Sequence, residues 1–208
     1  MKTTTAAIAA INTASRELRL PTVRAESSRL AEIAAKEQQE HLVFLAEVLA
    51  SELDERNERK RRRCVSEARF PRVKRLEDFD VTKANDTINA ATLGALRAGA
   101  LRAGALRAGA FLQGGNPVVF LGDSGTGKSH LLIGTGIAAA ETGKRVRYTT
   151  CASLVNELAE AADDRQLSRV VARYGRLDLL CLDELGYVHL DPRGAELLFQ
   201  VITEREER

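Results

Sequence analysis

"VVFLGDSGTGKSHLL", residues 118–132, sets an apolar tetrapeptide, a glycine-rich octapeptide and the opening of a helix in immediate succession. The octapeptide Gly122–Ser129 fits G-x-x-x-x-G-K-S. Its flanks matter as much as its letters, because such a loop works between a strand and a helix N-terminus. Gly122, Gly125 and Gly127 let the backbone take positive φ and bring its N–H groups close to a phosphate. Lys128 supplies a point charge for the β- and γ-phosphates at the positive end of the helix dipole. Ser129 offers a hydroxyl to Mg2+. Gly122, Asp123, Ser124, Gly125, Thr126, Gly127, Lys128, Ser129 and His130 are therefore the expected cofactor-binding set, with ATP and Mg2+ as the cofactors.

The other half of such a site stands near the end of the chain. "LDLLCL" (177–182) reads as an apolar strand, and it delivers Asp183 and Glu184, the former 55 residues after Lys128. A carboxylate there suits the Mg2+, with Ser129, and the adjacent Glu184 suits the orientation or deprotonation of an attacking water. No Asn-Lys-x-Asp stretch occurs, which argues against a small GTPase. A small-molecule kinase has no ordinary need for the adjacent Glu.

Strand and helix signals alternate through this half. After "VVFL" (118–121), expected as a short buried strand, a helix runs from about Lys128 to Glu141 and stops at Gly143. "RVRYTT" (145–150) alternates like a strand; helices follow near 152–162 and 166–174, then the 177–182 strand and a helix from about Pro192. Such alternation means an α/β fold with a parallel sheet and flanking helices.

The first third differs. From Ser27 to about Ala68 there is neither Pro nor Gly, and Leu30, Ile33 and Ala34, then Leu42, Leu45, Val48, Leu49 and Leu53, recur at helical spacing, as in a helix burying one face. Residues 1–75 hold 16 Lys and Arg against 11 Asp and Glu, whereas 76–208 hold 15 against 18. The excess concentrates at 56–75, where Arg56, Arg59, Lys60, Arg61, Arg62, Arg63, Arg69, Arg72, Lys74 and Arg75 face only Glu58 and Glu67. The segment reads as a DNA-backbone contact or as a solvated helix face. Between the halves, A-L-R-A-G occurs three times from Ala95 to Gly109; a five-residue period gives neither helix nor strand a continuous apolar side, so the extra copies read as a tandem duplication.

No apolar run approaches the ~20 residues of a membrane span. Cys64, Cys151 and Cys181 show no metal-ligand or redox spacing, and an odd count suits a reducing compartment, so a cytoplasmic location is expected.

The chain resembles the IstB-like ATP-binding proteins, helper ATPases of insertion-sequence transposition in the AAA+ class, related to DnaC-type helicase loaders. "EARFPRVKRLEDFD", "GDSGTGKSHLL", "GKRVRYTT" and "RYGRLDLLCLDELGYVHLDPRGAELLFQVITEREE" carry the likeness. The resemblance implies a P-loop NTPase of the AAA+ type, in which Lys128 and Ser129 bind the triphosphate and metal, Asp183 is the Walker B carboxylate and Glu184 the catalytic one. It implies DNA and a transposase as partners and a homo-oligomer on DNA, with no membrane. The expected domains are a helical region at 1–75, a linker with the repeat at 76–116, and a partial ATPase core at 117–208. The resemblance also implies a sensor strand between the Walker A and Walker B strands and an arginine finger, neither recognisable here. A C-terminally truncated form with impaired hydrolysis is thus the expectation. The alternatives are a DnaC-like loader and a non-catalytic DNA- or partner-binding fragment.

Overall fold

The computed structural model describes residues 2–80, 94, 117–186 and 189–206; the A-L-R-A-G repeat lies outside the described residues. The chain divides into the units Met1–Lys60 and Arg61–Arg208, so residues 61–75, grouped above with the N-terminal helices, belong to the second.

The first unit contains α1 (Lys2–Glu17), α2 (Pro21–Lys36) and the earlier turns of α3 (His41–Glu67). Proline at the first position of α2 presets its φ. Leu20 at the N-cap has no side chain that could satisfy the free amides of the first turn, and a carboxylate on α3 does so instead. The N–H groups of Thr22 and Val23 donate to Glu52 Oε2 at 2.7 and 3.1 Å. Glu52 is 2% exposed, and Arg56 and Arg59 lie 3.4 and 3.5 Å from its other oxygen. Burial pushes this carboxyl up, but the Val23 and Thr22 amides, the Thr22 hydroxyl and Arg56 outweigh it and hold the group below the usual carboxylate range.

Two sequence expectations fail in this unit. The continuous helix expected from Ser27 is broken, because Gln38 takes φ 52° and the Gln39 N–H returns to Ala34 O at 3.0 Å, closing a Schellman turn. The same turn ends α1, where Arg19 has φ 55° and the Leu20 N–H reaches Ser15 O at 2.8 Å. Gly usually signals this stop, and here Arg and Gln occupy its place. The apolar stripe of α3 is also not buried: Val48 is, while Leu42, Leu45, Leu49 and Leu53 stay exposed among the described residues. Helical periodicity reports a face able to pack; whether a partner element covers it is a separate matter.

The second unit is built on α4 (Lys128–Glu141), which is made largely of small residues and is buried through most of its length. One side packs on β1 (Val146–Thr150) and β2 (Leu179–Asp183), a parallel pair in register from Val146 with Leu179 to Thr150 with Asp183. Another side receives the segment after α3. Leu76, in the 3-10 turn Leu76–Asp78, lies where a Cβ on Gly134 would come within 2.9 Å of its Cδ2. A Cβ on Gly136 would stand 2.7 Å from Phe70 Cε1 and 2.8 Å from Cys181 Sγ. Opposite α4, α5 (Cys151–Asp163), α6 (Leu167–Gly175) and α7 (Pro192–Glu206) form a core of Leu154, Leu158, Tyr174, Leu197, Leu198 and Val201, against which Leu180 and Leu182 pack. Thr150 ends β1 and caps α5, its hydroxyl accepting from the Ser153 N–H at 3.2 Å. Asp191 caps α7 through the Gly194 N–H at 2.7 Å, just before Pro192.

The strand expected at 118–121 is not formed. Val118, Val119 and Leu121 are 41%, 70% and 88% exposed, and the sheet of the described residues is β1 with β2 alone. A strand exists through ladder hydrogen bonds, and an apolar run without a neighbour to pair has none.

Replacing Glu52 with Ala leaves the Thr22 and Val23 amides without their acceptor, while Arg56 keeps Arg19 O and Arg59 keeps Glu55 O and the Thr22 hydroxyl. The replacement should cost about 1–2 kcal/mol, a typical loss for a helix cap. Faster amide exchange at Thr22 and Val23 is the local readout. Because the folded-state pKa is depressed, the stabilisation is present above the ordinary carboxylate range and lost as pH falls through the folded value. Wild type and Glu52→Ala should therefore converge in stability at acid pH.

Candidate functional site

The glycine-rich loop wraps onto the N-terminus of α4. Gly122, Gly125 and Gly127 have φ of 151°, 82° and 89°, where an L side chain is strained. Thr126 Oγ1 donates to Asp123 O at 2.9 Å, closing the loop on itself. Lys128 Nζ donates to Gly122 O and Asp123 O at 2.7 and 2.6 Å, so the ammonium lies on the loop's own carbonyls. Ser124 is exposed and Ser129 half-buried.

Asp183 is the last residue of β2, and the packing of β2 on α4 sets it beside the start of that helix. Its Oδ1 accepts from Ser129 Oγ at 3.2 Å and from the Glu184 N–H at 3.0 Å; its Oδ2 accepts from Tyr148 Oη at 2.8 Å. Glu184 is exposed with φ 61°, a left-handed conformation that costs a non-glycine residue about 1–3 kcal/mol. Lys128, Ser129, Asp183 and Glu184, far apart in the chain, thus meet at one end of the sheet. The Ser129 hydroxyl and the Asp183 carboxylate are hard oxygen donors and fit a divalent ion such as Mg2+, which takes few protein ligands and keeps several waters.

His130 behaves differently from its neighbours. Its Nε2 is 2.7 Å from Arg75 O and its ring meets Phe79 edge-on at 5.3 Å, so the imidazole is engaged with the 75–79 segment. That segment presses on the loop as well, because a Cβ on Gly127 would come within 2.7 Å of Phe79 Cε2.

Tyr148 and Phe79 are the site neighbours that sequence reasoning missed. Alternation in "RVRYTT" puts Val146, Tyr148 and Thr150 on one face, which was the available signal. Only the register, Tyr148 opposite Cys181, shows that the phenol reaches the carboxylate two residues further on. Burial first, then the bond to Asp183, pushes the Tyr148 phenol well above its ordinary pKa. Burial also pushes the Cys181 thiol up to about 12. Cys64, Cys151 and Cys181 are all buried free thiols. No helix among the described residues is long and apolar enough to cross a membrane.

A glycine-rich loop at a helix N-terminus, its serine bonded to a carboxylate that ends a parallel strand, is the arrangement of P-loop nucleotide-binding domains. The chain belongs to the IstB-like ATP binding protein family, which it matches over residues 13–208. It is 34% identical over 192 residues to a putative insertion sequence ATP-binding protein of Sinorhizobium fredii, a match covering 92% of this chain and 61% of that protein. The putative ATP-binding protein of insertion sequence IS21 from Pseudomonas aeruginosa is 32% identical over 179 residues, 86% of this chain and 63% of the relative. The putative ATP-binding protein of IS5376 from Geobacillus stearothermophilus is 29% identical over 190 residues, 91% and 71% of the two chains. The chain thus spans about three fifths of the length of the first of these relatives.

Gly127→Ala should destabilise the second unit by about 1–3 kcal/mol, through both the positive φ and the close approach of Phe79. Adding Phe79→Ala should remove the steric part and leave the backbone strain. Urea unfolding of the two single variants and the double variant separates the two effects.

Proposed function

We propose that this chain binds ATP with Mg2+ through the loop Gly122–His130 and Asp183, and that it serves DNA transposition as a helper ATPase, assembling on DNA as a homo-oligomer and regulating a transposase. The observation that carries the nucleotide reading is the Ser129–Asp183 bond at 3.2 Å, which joins the glycine loop to the strand-end carboxylate. The transposition reading is supported by relatives named for insertion sequences. In this reading Lys128 exchanges the loop carbonyls for phosphate oxygens. Ser129 and Asp183 hold the metal, which when bound neutralises charge on the β- and γ-oxygens. His130 contributes through its backbone, its ring being engaged by Arg75 O. Glu184 orients or deprotonates water.

Hydrolysis by the 208-residue chain on its own is proposed to be slow. An arginine finger is worth ~10³–10⁵ in rate in phosphoryl transfer. Arg193 is held by Asp163 at 2.6 Å, and Arg205 donates to Tyr174 O and Leu177 O at 3.0 Å each. DNA contact is proposed for segment 56–75. Part of its charge is balanced within the protein: Arg56 and Arg59 by Glu52 and Glu55 together, Arg63 by Glu67, Arg75 by Glu141. Arg69, Arg72 and Lys74 make no ion pair among the described residues, and they are the cations proposed to meet phosphates.

Calorimetric titration with Mg2+·ATP should show binding that Lys128→Ala abolishes; equal binding by the variant would refute the loop assignment. Steady-state phosphate release should be near background and unchanged by Glu184→Gln. Turnover that this variant eliminates would show a complete catalytic site. For the basic segment, reversing Arg69, Arg72 and Lys74 to Glu should weaken duplex DNA binding and flatten its salt dependence, the slope falling by ~0.9 for every phosphate no longer neutralised. An unchanged slope would mark these cations as a solvated surface.

A further inference from the structure

We propose that Tyr148 is a positioning residue for the nucleotide site: its hydroxyl fixes the plane of the Asp183 carboxylate, and its backbone and ring tie that carboxylate to the corner where α3 ends. The inference rests on the reading of Asp183 as the carboxylate on the Mg2+ side of the site.

A carboxylate at the end of a strand is free to turn about its Cβ–Cγ bond unless both oxygens are held. Ser129 Oγ and the Glu184 N–H both bond Oδ1. Those two bonds leave Oδ2 as the free end of a lever. Tyr148 Oη, 2.8 Å from Oδ2, is the donor that stops the rotation. With the plane fixed, the lone pairs of Oδ1 stay directed toward Ser129 and the start of α4, where the metal is read to sit. Oxygen ligands of a metal depend on such outer partners for their orientation.

Tyr148 is itself held on two further sides. Its N–H donates to Ala68 O at 2.9 Å, and its ring lies 6.1 Å from that of Phe70 at an interplanar angle of 52°. Ala68 is buried, and Arg69 beside it takes φ 58° as α3 turns off. The corner 68–70 therefore touches the same residue that holds Asp183, and it lies within the segment read as basic. A phenylalanine at 148 would keep the ring packing and the backbone bond while removing only the bond to the carboxylate. That makes Tyr148→Phe a clean test.

The probe is a fluorescent N-methylanthraniloyl ATP analogue, bound to the full chain in EDTA and then titrated with Mg2+. In EDTA, Tyr148→Phe should bind the analogue within about twofold of wild type. Its Mg2+ midpoint should rise roughly tenfold, the lower end of what loss of an outer partner costs a metal site. Asp183→Asn should raise the midpoint too, and Tyr148→Phe added to it should raise it no further, since the hydroxyl acts through that carboxylate. An unchanged midpoint in Tyr148→Phe overturns the proposal. So does an equal loss of affinity in EDTA, which would make Tyr148 part of the general scaffold, or full additivity with Asp183→Asn. Ser129→Ala separates the two levels: if neither it nor Asp183→Asn moves the Mg2+ midpoint, the metal reading of the site itself fails. Thermal unfolding of each variant confirms that the folded chain is compared throughout.

Discussion

The close approach allowed by the glycines of α4 is the constraint on which the second unit depends. Gly134 and Gly136 leave no room for a Cβ, because Leu76 lies against the first and both Phe70 and Cys181 against the second. Ala139 and Ala140 are fully buried a turn further on. A helix this slender can be covered by the sheet and by the 68–79 segment while its N-terminus stays available to the glycine loop. Bulkier residues would push β2 away, and Asp183 with it, beyond hydrogen-bond reach of Ser129.

The same packing sets the chemistry. Because β2 lies tight against α4, its last residue meets the second residue of the helix, and because β1 lies in register with β2, Tyr148 meets that residue from the other side. The carboxylate is thus held by a helix side chain, a neighbouring strand and the following backbone amide. Such convergence lets Glu184 persist at φ 61°, a conformation that the surrounding structure must over-determine. The geometry of the candidate site follows from helix–sheet spacing more than from the loop's own preferences.

Electrostatics are handled locally in both units. In the first, Glu52 caps α2 and draws Arg56 and Arg59 toward itself, and Glu55 lies 3.7 Å from Arg59, so two carboxylates offset these two cations of the run that looked densest in the sequence. In the second, Arg75 is paired with Glu141 at 2.7 Å and its carbonyl meets His130, so a residue of the basic segment is bonded to both ends of α4. A count of Lys and Arg along a segment overstates the charge it can offer a partner.

The chain itself determined the loop at Gly122–Ser129, α4 from Lys128 to Glu141, the strand before Thr150, and Asp183 with Glu184 at a strand end. Local chemistry writes these features: glycine where φ must be positive, apolar alternation for strands, a Gly at 143 to stop the helix, and Asp-Pro to start α7. Tertiary structure alone decided the rest. It left residues 118–121 without a ladder, because a strand needs a neighbour and periodicity names none. The stops of α1 and α2 at Arg19 and Gln38 are local, Schellman hydrogen bonds outweighing the cost of a left-handed Arg or Gln where no Gly marks the turn, and tertiary structure acted elsewhere. It left the leucines of α3 exposed, since an apolar stripe specifies a face and not its cover. It brought Tyr148 to Asp183 and Phe79 to Gly127, because register and helix packing bring together residues that are remote along the chain.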